Sequence, residues 1–304
     1  MPRLRVGNWV EDAINWLLDH FGWLFDAITT VTSHLVDWVS GAFTGLPTLV
    51  VIAIFTIWAA LASGWGLAAF TALAFLLIDS MELWTQAMQT LAVVLVAAVI
   101  ATAVGVPIGI LAARRRIVGA IARPILDFMQ TMPVFVYLIP AVFFFGVGVV
   151  PGVVATTVFA IPPAVRLTDL GIRQVDREMV EAAEAFGSPP LQTLREVQLP
   201  LALPSIMAGI NQVIMLALSM VVVAGLVGAA GLGSVVVRAV TQLDVASGFE
   251  GGLAVVILAI YLDRLTAALA QPRRRTTTRT APRVPAKAEP VPETTSPARD
   301  AVAA

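Results

Sequence analysis

The residues of this chain whose types and spacing could engage a soluble partner form one polar island, Glu178 to Pro204, set between long apolar runs. Its core reads Glu181-Ala182-Ala183, then Gly187 after three residues, then Val197-Gln198-Leu199-Pro200 after nine more. Glu178, Glu181 and Glu184 suit the positive end of a helix opening at or just after Asp176, and Ala182, Ala183 and Ala185 are strong helix formers. Gly187 supplies the left-handed turn that closes a helix, and Ser188-Pro189 supplies a cap and a first helical residue for a second one. Leu191, Leu194 and Val197 recur on one side of that second helix, and Pro200 and Pro204 mark the return to an apolar environment. The chemistry implied is recognition, although two surface helices without a partner would share the pattern.

Other chemistries find no residues to support them. The chain has no cysteine, and His20 and His34 stand apart, so neither a thiolate site nor a metal site is expected. No Gly-x-x-x-x-Gly-Lys-Ser/Thr loop is present to hold ATP phosphates. Gly225, Gly228, Gly231 and Gly233 end an apolar run and lack a lysine, which points to close helix packing or a bent, partly re-entrant turn. Within the apolar runs the polar, polarisable or aromatic positions are Gln130, Thr131, Met132, Phe135 and Tyr137, with Asn211, Gln212, Ser219 and Met220 further on. As a set they are candidates to line a path through a membrane, and each singly could equally join helix to helix. Asp127 and the adjacent Asp263 and Arg264 read as boundary or structural charges.

The elements that must position these residues are membrane helices. Of 304 residues, 58% are hydrophobic and 13% charged, against about 25% charged in a soluble domain. A span needs about 20 mainly apolar residues. Seven segments qualify or nearly so: Gly45 to Ala62, Gly64 to Ile78, Thr90 to Ala113, Pro124 to Gly146, Val149 to Val165, Leu203 to Leu226 and Gly251 to Ala270. The second and fifth are short. Pro107, Pro133 and Pro140 are expected to kink the spans that contain them. Residues 1–45 alternate apolar positions such as Val10, Ile14, Leu17 and Phe21 with Glu11, Asp12, Asp19 and Asp26, and carry four tryptophans, which suggests one or two helices lying at the membrane surface. A cleaved signal peptide is not expected, since Glu11 and Asp12 precede any apolar core. Arginines cluster at 114–116, at 166–195 and at 273–275, all on one side for seven spans, so the island is expected in the cytoplasm and the N-terminus outside. The tail 271–304 is rich in Pro, Thr, Ala and Arg and is expected to be disordered and cytoplasmic.

The Glu181 to Pro200 pattern resembles the loop signature of the permease subunits of bacterial ABC importers, with Val197 where isoleucine is commoner. Asp127 to Pro133, Val136 to Pro140, Ile161-Pro162-Pro163, Ile172 to Val175, Ile210 to Gln212 and Met220 to Val222 are similar to the glycine betaine/L-proline subfamily. The resemblance spans roughly residues 80–265. It implies an all-α polytopic permease fold; joined to the reading of the residues above, the chain is expected to have about seven spans and to be organised as an interfacial segment 1–45, a transmembrane domain 46–270 with a coupling loop 166–202, and the tail 271–304. The resemblance further implies a bacterial plasma membrane protein, not itself an enzyme. The partners implied are a second permease copy, two cytoplasmic ATPase subunits that carry ATP and Mg, and a separate external substrate-binding protein, with no nucleic acid. Glu178, Glu181, Ala182, Ala183, Gly187, Val197, Leu199 and Pro200 would form the coupling surface. The cargo implied is a compatible solute such as glycine betaine or proline betaine. Another small solute, such as an amino acid or a sulfonate, is the alternative, and a secondary carrier is a further one.

Overall fold

The protein is described by a computed structural model, which defines residues 6–270. The expected tail, 271–304, lies outside the described residues. Helices in chain order are α1 (Val6–Thr44), α2 (Thr48–Ser63), α3 (Trp65–Ser80), α4 (Trp84–Arg114), α5 (Arg116–Thr131), α6 (Phe135–Phe145), α7 (Val149–Arg173), α8 (Arg177–Ala185), α9 (Pro190–Thr193), α10 (Leu199–Ser219), α11 (Val221–Leu226), α12 (Leu232–Gln242) and α13 (Val245–Ala270). No strand interrupts them among the described residues.

Packing centres on α7, which lies between α4 and α10. Lipid offers no hydrophobic reason for apolar helices to associate, so close backbone approach must supply the attraction. Gly105 and Gly109 on α4 meet Ala164, Val165 and Thr168 of α7, and an added methyl at either glycine would strike those residues. On the other flank of α7, Pro163, Ala164 and Leu167 pack over Gly209 of α10. The widest part of the core is aromatic: Phe75 lies 5.6 Å from Phe55, 5.1 Å from Tyr261 and 6.1 Å from Trp84, ring centre to ring centre. One buried polar tie crosses the bundle, where the Leu232 N–H of α12 donates to Thr90 Oγ1 of α4 at 2.8 Å.

Among the described residues, four stretches are long and apolar enough to cross a membrane: Trp84–Arg114, Val149–Arg173, Pro190–Leu226 and Val245–Leu269. Two bent pairs raise the number to six, α1 with α2 at 99° and α5 with α6 at 95°. All seven expected segments are therefore helical, but they are not seven equal crossings. α2 and α3 have 16 residues each, about 24 Å of helix against a core of about 30 Å, and fold back on each other at Gly64. The expected fourth span is divided. Met132 precedes Pro133 and takes an extended conformation (φ −73°, ψ 136°), which the proline ring favours over the helical one. Pro107 and Pro140, by contrast, sit inside continuous helices.

The N-terminal segment is one helix of 39 residues broken at Phe21 (φ −121°, ψ 17°), in accord with one or two helices. Its later half packs on the bundle through Val36, which is buried with Ala92, Val93 and Ala97, and through Phe25, stacked on Phe144 at 4.6 Å. The outer face repeats Trp-x-x-Asp three times at seven-residue spacing: Trp9 and Asp12, Trp16 and Asp19, Trp23 and Asp26. All six side chains are exposed.

The run Gly225 to Gly233 is a tight helical hairpin. α11 and α12 approach so closely that a methyl on Gly225 would meet the Gly233 backbone and one on Gly233 the Val221 carbonyl. This is the close-packing reading of that glycine cluster.

Candidate coupling surface and translocation path

The polar island folds as α8, a turn, and α9 running into α10. Asp176 opens α8, its carboxylate accepting from the Glu178 N–H at 3.1 Å, and Glu178 lies in the first turn where the helix dipole favours an anion. α8 ends in a paired closure: the Ser188 N–H donates to Ala183 O at 3.1 Å and the Gly187 N–H to Glu184 O at 2.9 Å, with Gly187 left-handed at φ 80°. α8 has no buried residue, and Phe186 at its end is 92% exposed. An apolar ring so placed stands out from the bundle.

Beyond the turn the structure departs from the expected second helix in two respects. Pro190 rather than Pro189 is its first residue, with Pro189 extended before it (φ −66°, ψ 153°). The helix is also not a separate element. It widens into a π turn at Leu194–Gln198, where the Leu199 N–H reaches back to Leu194 O, and continues as α10. Pro200 has no N–H to give to Glu196 O, and the wide turn falls immediately before it. The return to the apolar bundle thus begins at Pro190, earlier than Pro200 and Pro204 suggested.

The predicted coupling residues sort by exposure. Glu178, Glu181, Ala182, Gly187 and Pro200 are exposed, while Ala183, Val197 and Leu199 are half-buried. Leu199 packs with Leu194, Ile172 and Ala202 and anchors the loop. Glu181 also receives Arg177 Nε at 2.9 Å.

The candidate path residues do not all converge. Gln130 and Gln212 face one cavity of about 510 Å³, completed by Phe159, Pro163, Arg166, Leu167 and Leu216. Tyr137 lies beside it, its ring edge on Phe159 at 6.4 Å and its hydroxyl donating to Met129 O. Met132 is half-buried at the α5–α6 break, and Phe135 is exposed on α6, lining a separate apolar groove. The hydroxyls of Thr131 and Ser219 return to carbonyls of their own helices, Phe128 O and Met215 O. Asn211 turns away from the cavity: it donates to Asp263 Oδ1 at 2.9 Å and accepts from Thr266. Met220 is 2% exposed, packed with Leu138, Ala141 and Ala155. Asn211 and Met220 therefore do not face that cavity in this arrangement. Sequence reasoning missed Phe159 and Arg166, although Phe159, Pro163 and Arg166 fall at helical spacing on one face of α7.

Charges tie α5 to α7 below that cavity. Arg166 pairs with Asp127, Asp169 receives Arg173 Nε at 2.5 Å with Arg123 at 3.7 Å, and Arg173 Nη2 also donates to Ala112 O at the end of α4 at 2.6 Å.

Residues 105–275, which hold the island, the cavity and α13, match the family described as "Binding-protein-dependent transport system inner membrane component". The chain belongs to this family. Relatives of this inner membrane component include the glycine betaine transport system permease protein OpuAB of Bacillus subtilis (strain 168), 52% identical over 269 residues, which make up 88% of this chain and 94% of that protein. The glycine betaine/carnitine transport permease protein GbuB of Listeria monocytogenes is 49% identical over 88% of this chain and 96% of its own length. ProW of Escherichia coli (strain K12), a glycine betaine/proline betaine transport system permease protein, is 44% identical over 88% of this chain and 75% of itself. Among solved structures, a chain of the MetNI methionine ABC transporter in an inward-facing crystal form superposes with a TM-score of 0.56 at 22% identity, over 63% of this chain and 96% of that one. The inner membrane component thus has the all-α permease fold and is a transport subunit rather than a catalyst.

Proposed function

We propose that this chain is the membrane-spanning permease of an ATP-driven importer for glycine betaine or a related compatible solute. It works as a pair of identical copies, holds two ATPase subunits on the cytoplasmic side through residues 176–200, and receives cargo from a separate external binding protein. Nucleotide and magnesium chemistry belong to the ATPase partner. The observation that carries the reading is α8, unburied and projecting from the bundle, in a chain whose relatives across nearly their whole length are named as glycine betaine permeases. The geometry supports a route for coupling. A push on α8 passes through the Gly187 closure to α9 and, with no break in the helix, along α10 to Gln212 and Leu216 at the cavity.

Vesicles containing the chain, its ATPase and its binding protein should take up glycine betaine only when ATP is supplied, in preference to a neutral amino acid or a sulfonate. Uptake without ATP, or preferential uptake of the other solutes, would refute the assignment. Affinity should reside with the binding protein. Micromolar capture takes roughly 8 kcal/mol, and one cation–aromatic contact contributes about 0.5 to 2, whereas Phe159 and Tyr137 are the aromatic rings at the cavity. Calorimetric titration of the permease alone should therefore show no micromolar site.

Orientation follows from the arginine clusters. A cytoplasm-specific reporter fused after Arg116 should be active and one fused at Ser40 silent. Activity at both would place the N-terminus inside.

A further inference from the structure

We infer that Arg166 and Phe159 form a transit site for a zwitterion, in which Arg166 exchanges Asp127 for the carboxylate of the solute while its quaternary ammonium faces the Phe159 ring. The inference rests on the proposed function and names what that function leaves open, the residues the cargo meets inside the membrane.

The cavity has the two poles such a solute needs. Arg166 is the cationic group lining it, and Phe159 lies seven residues earlier on α7, about 10.5 Å of rise along the same face. The rest of the lining is Pro163, Leu167 and Leu216, apolar and unable to compete for either charge, with Gln130 and Gln212. The volume, about 510 Å³, falls within the range of small-molecule sites. Tyr137, with its ring edge on Phe159, fixes the aromatic pole.

Asp127 makes the site suitable for passage rather than capture. Its side chain is 68% exposed and that of Arg166 40%, so neither partner is locked in place by burial and the pair is open to exchange. Arg166 meets Asp127 through Nη2 alone, and a carboxylate arriving from the solute can engage the guanidinium in a forked contact. Asp127 then stands ready to reclaim Arg166 and release the cargo. The neutral resting pair also keeps the cavity from concentrating unrelated anions.

A structural ion pair and an exchange site make opposite predictions for its two halves. In the full-length permease in detergent, glycine betaine titration should give a weak baseline. Asp127→Asn should tighten it about three- to tenfold by removing the competitor, and Arg166→Gln should abolish it, alone or combined with Asp127→Asn. Choline, which lacks the carboxylate, should be indifferent to Asp127→Asn. In vesicles with both partners, Arg166→Gln should lower uptake about tenfold, with Arg166→Lys recovering part of the loss. If Arg166→Gln does not accumulate, the Asp127→Asn and Arg166→Lys titrations still decide. Weakening by both Asp127→Asn and Arg166→Lys, or no change in either, overturns the inference, as does equal tightening for choline. Absence of uptake by the wild-type system would instead refute the proposed function, so the two failures are distinguishable.

Discussion

Gly187→Val is expected to abolish ATP-driven uptake while leaving the protein inserted. An added Cβ at Gly187 meets nothing within 4 Å, so the effect is conformational rather than steric. The closure of α8 holds the residue at φ 80°, where an L side chain costs about 1–2 kcal/mol and a β-branched one more. The turn will then favour another conformation and surrender the Ser188-to-Ala183 and Gly187-to-Glu184 bonds. A shift of 1.4 kcal/mol is tenfold in population, so at least a tenfold fall in uptake follows. The bundle should be indifferent, because α8 buries no residue. Asparagine, which tolerates the left-handed region better, should be the mildest replacement with a side chain. If Gly187→Val retains both uptake and ATPase association, the island is not the coupling element.

Gly233→Ala should act on stability instead. Its methyl would press on the Val221 carbonyl, and backbone cannot swing aside as a flexible side chain can. Overpacking of this kind costs about 1–3 kcal/mol and occasionally more, so a fall in Tm of roughly 2–12 °C is expected from the scaling for large domains. Gly252→Ala on α13, where an added methyl meets nothing within 4 Å, is the control. A Gly233→Ala protein that melts with wild type would mean that α11 and α12 are not packed as described.

The parts legible in the sequence were those fixed by local chemistry. Asp176 as a cap, Gly187 as a left-handed closure and Pro133 as a break each follow from what one residue does to its own backbone. The apolar segments were legible for a similar reason, since a bilayer imposes composition over a whole helix. Rotational setting was not. Asn211 and Gln212 are adjacent polar residues in one apolar helix, yet one turn of about 100° between them sends Asn211 to Asp263, 52 positions away, and Gln212 to the cavity. Nothing local distinguishes them. Arg166 was hidden differently: counted only as a topological charge, its role depends on the α7 face it shares with Phe159 and on Asp127 from α5. Met220 was ambiguous for a third reason, since a thioether suits a path and a core equally well, and the fold packs it with Leu138 and Ala141.

The division at Pro133 has a mechanical consequence. Backbone bonds of α5 end with the Met132 N–H on Phe128 O, and those of α6 begin from Pro133 O and Val134 O. Pro133 has no N–H to contribute across the elbow. α5 can therefore swing against α6 as on a hinge without unwinding a turn of either helix. What resists the swing is held by side chains: the Tyr137 hydroxyl on Met129 O, and the pairs of Asp127 with Arg166 and of Arg123 with Asp169, which tie α5 to α7. A joint latched in this way makes the partner of the cavity-lining Arg166 one of the catches on the elbow, so that an event which frees Arg166 from Asp127 removes one restraint on α5.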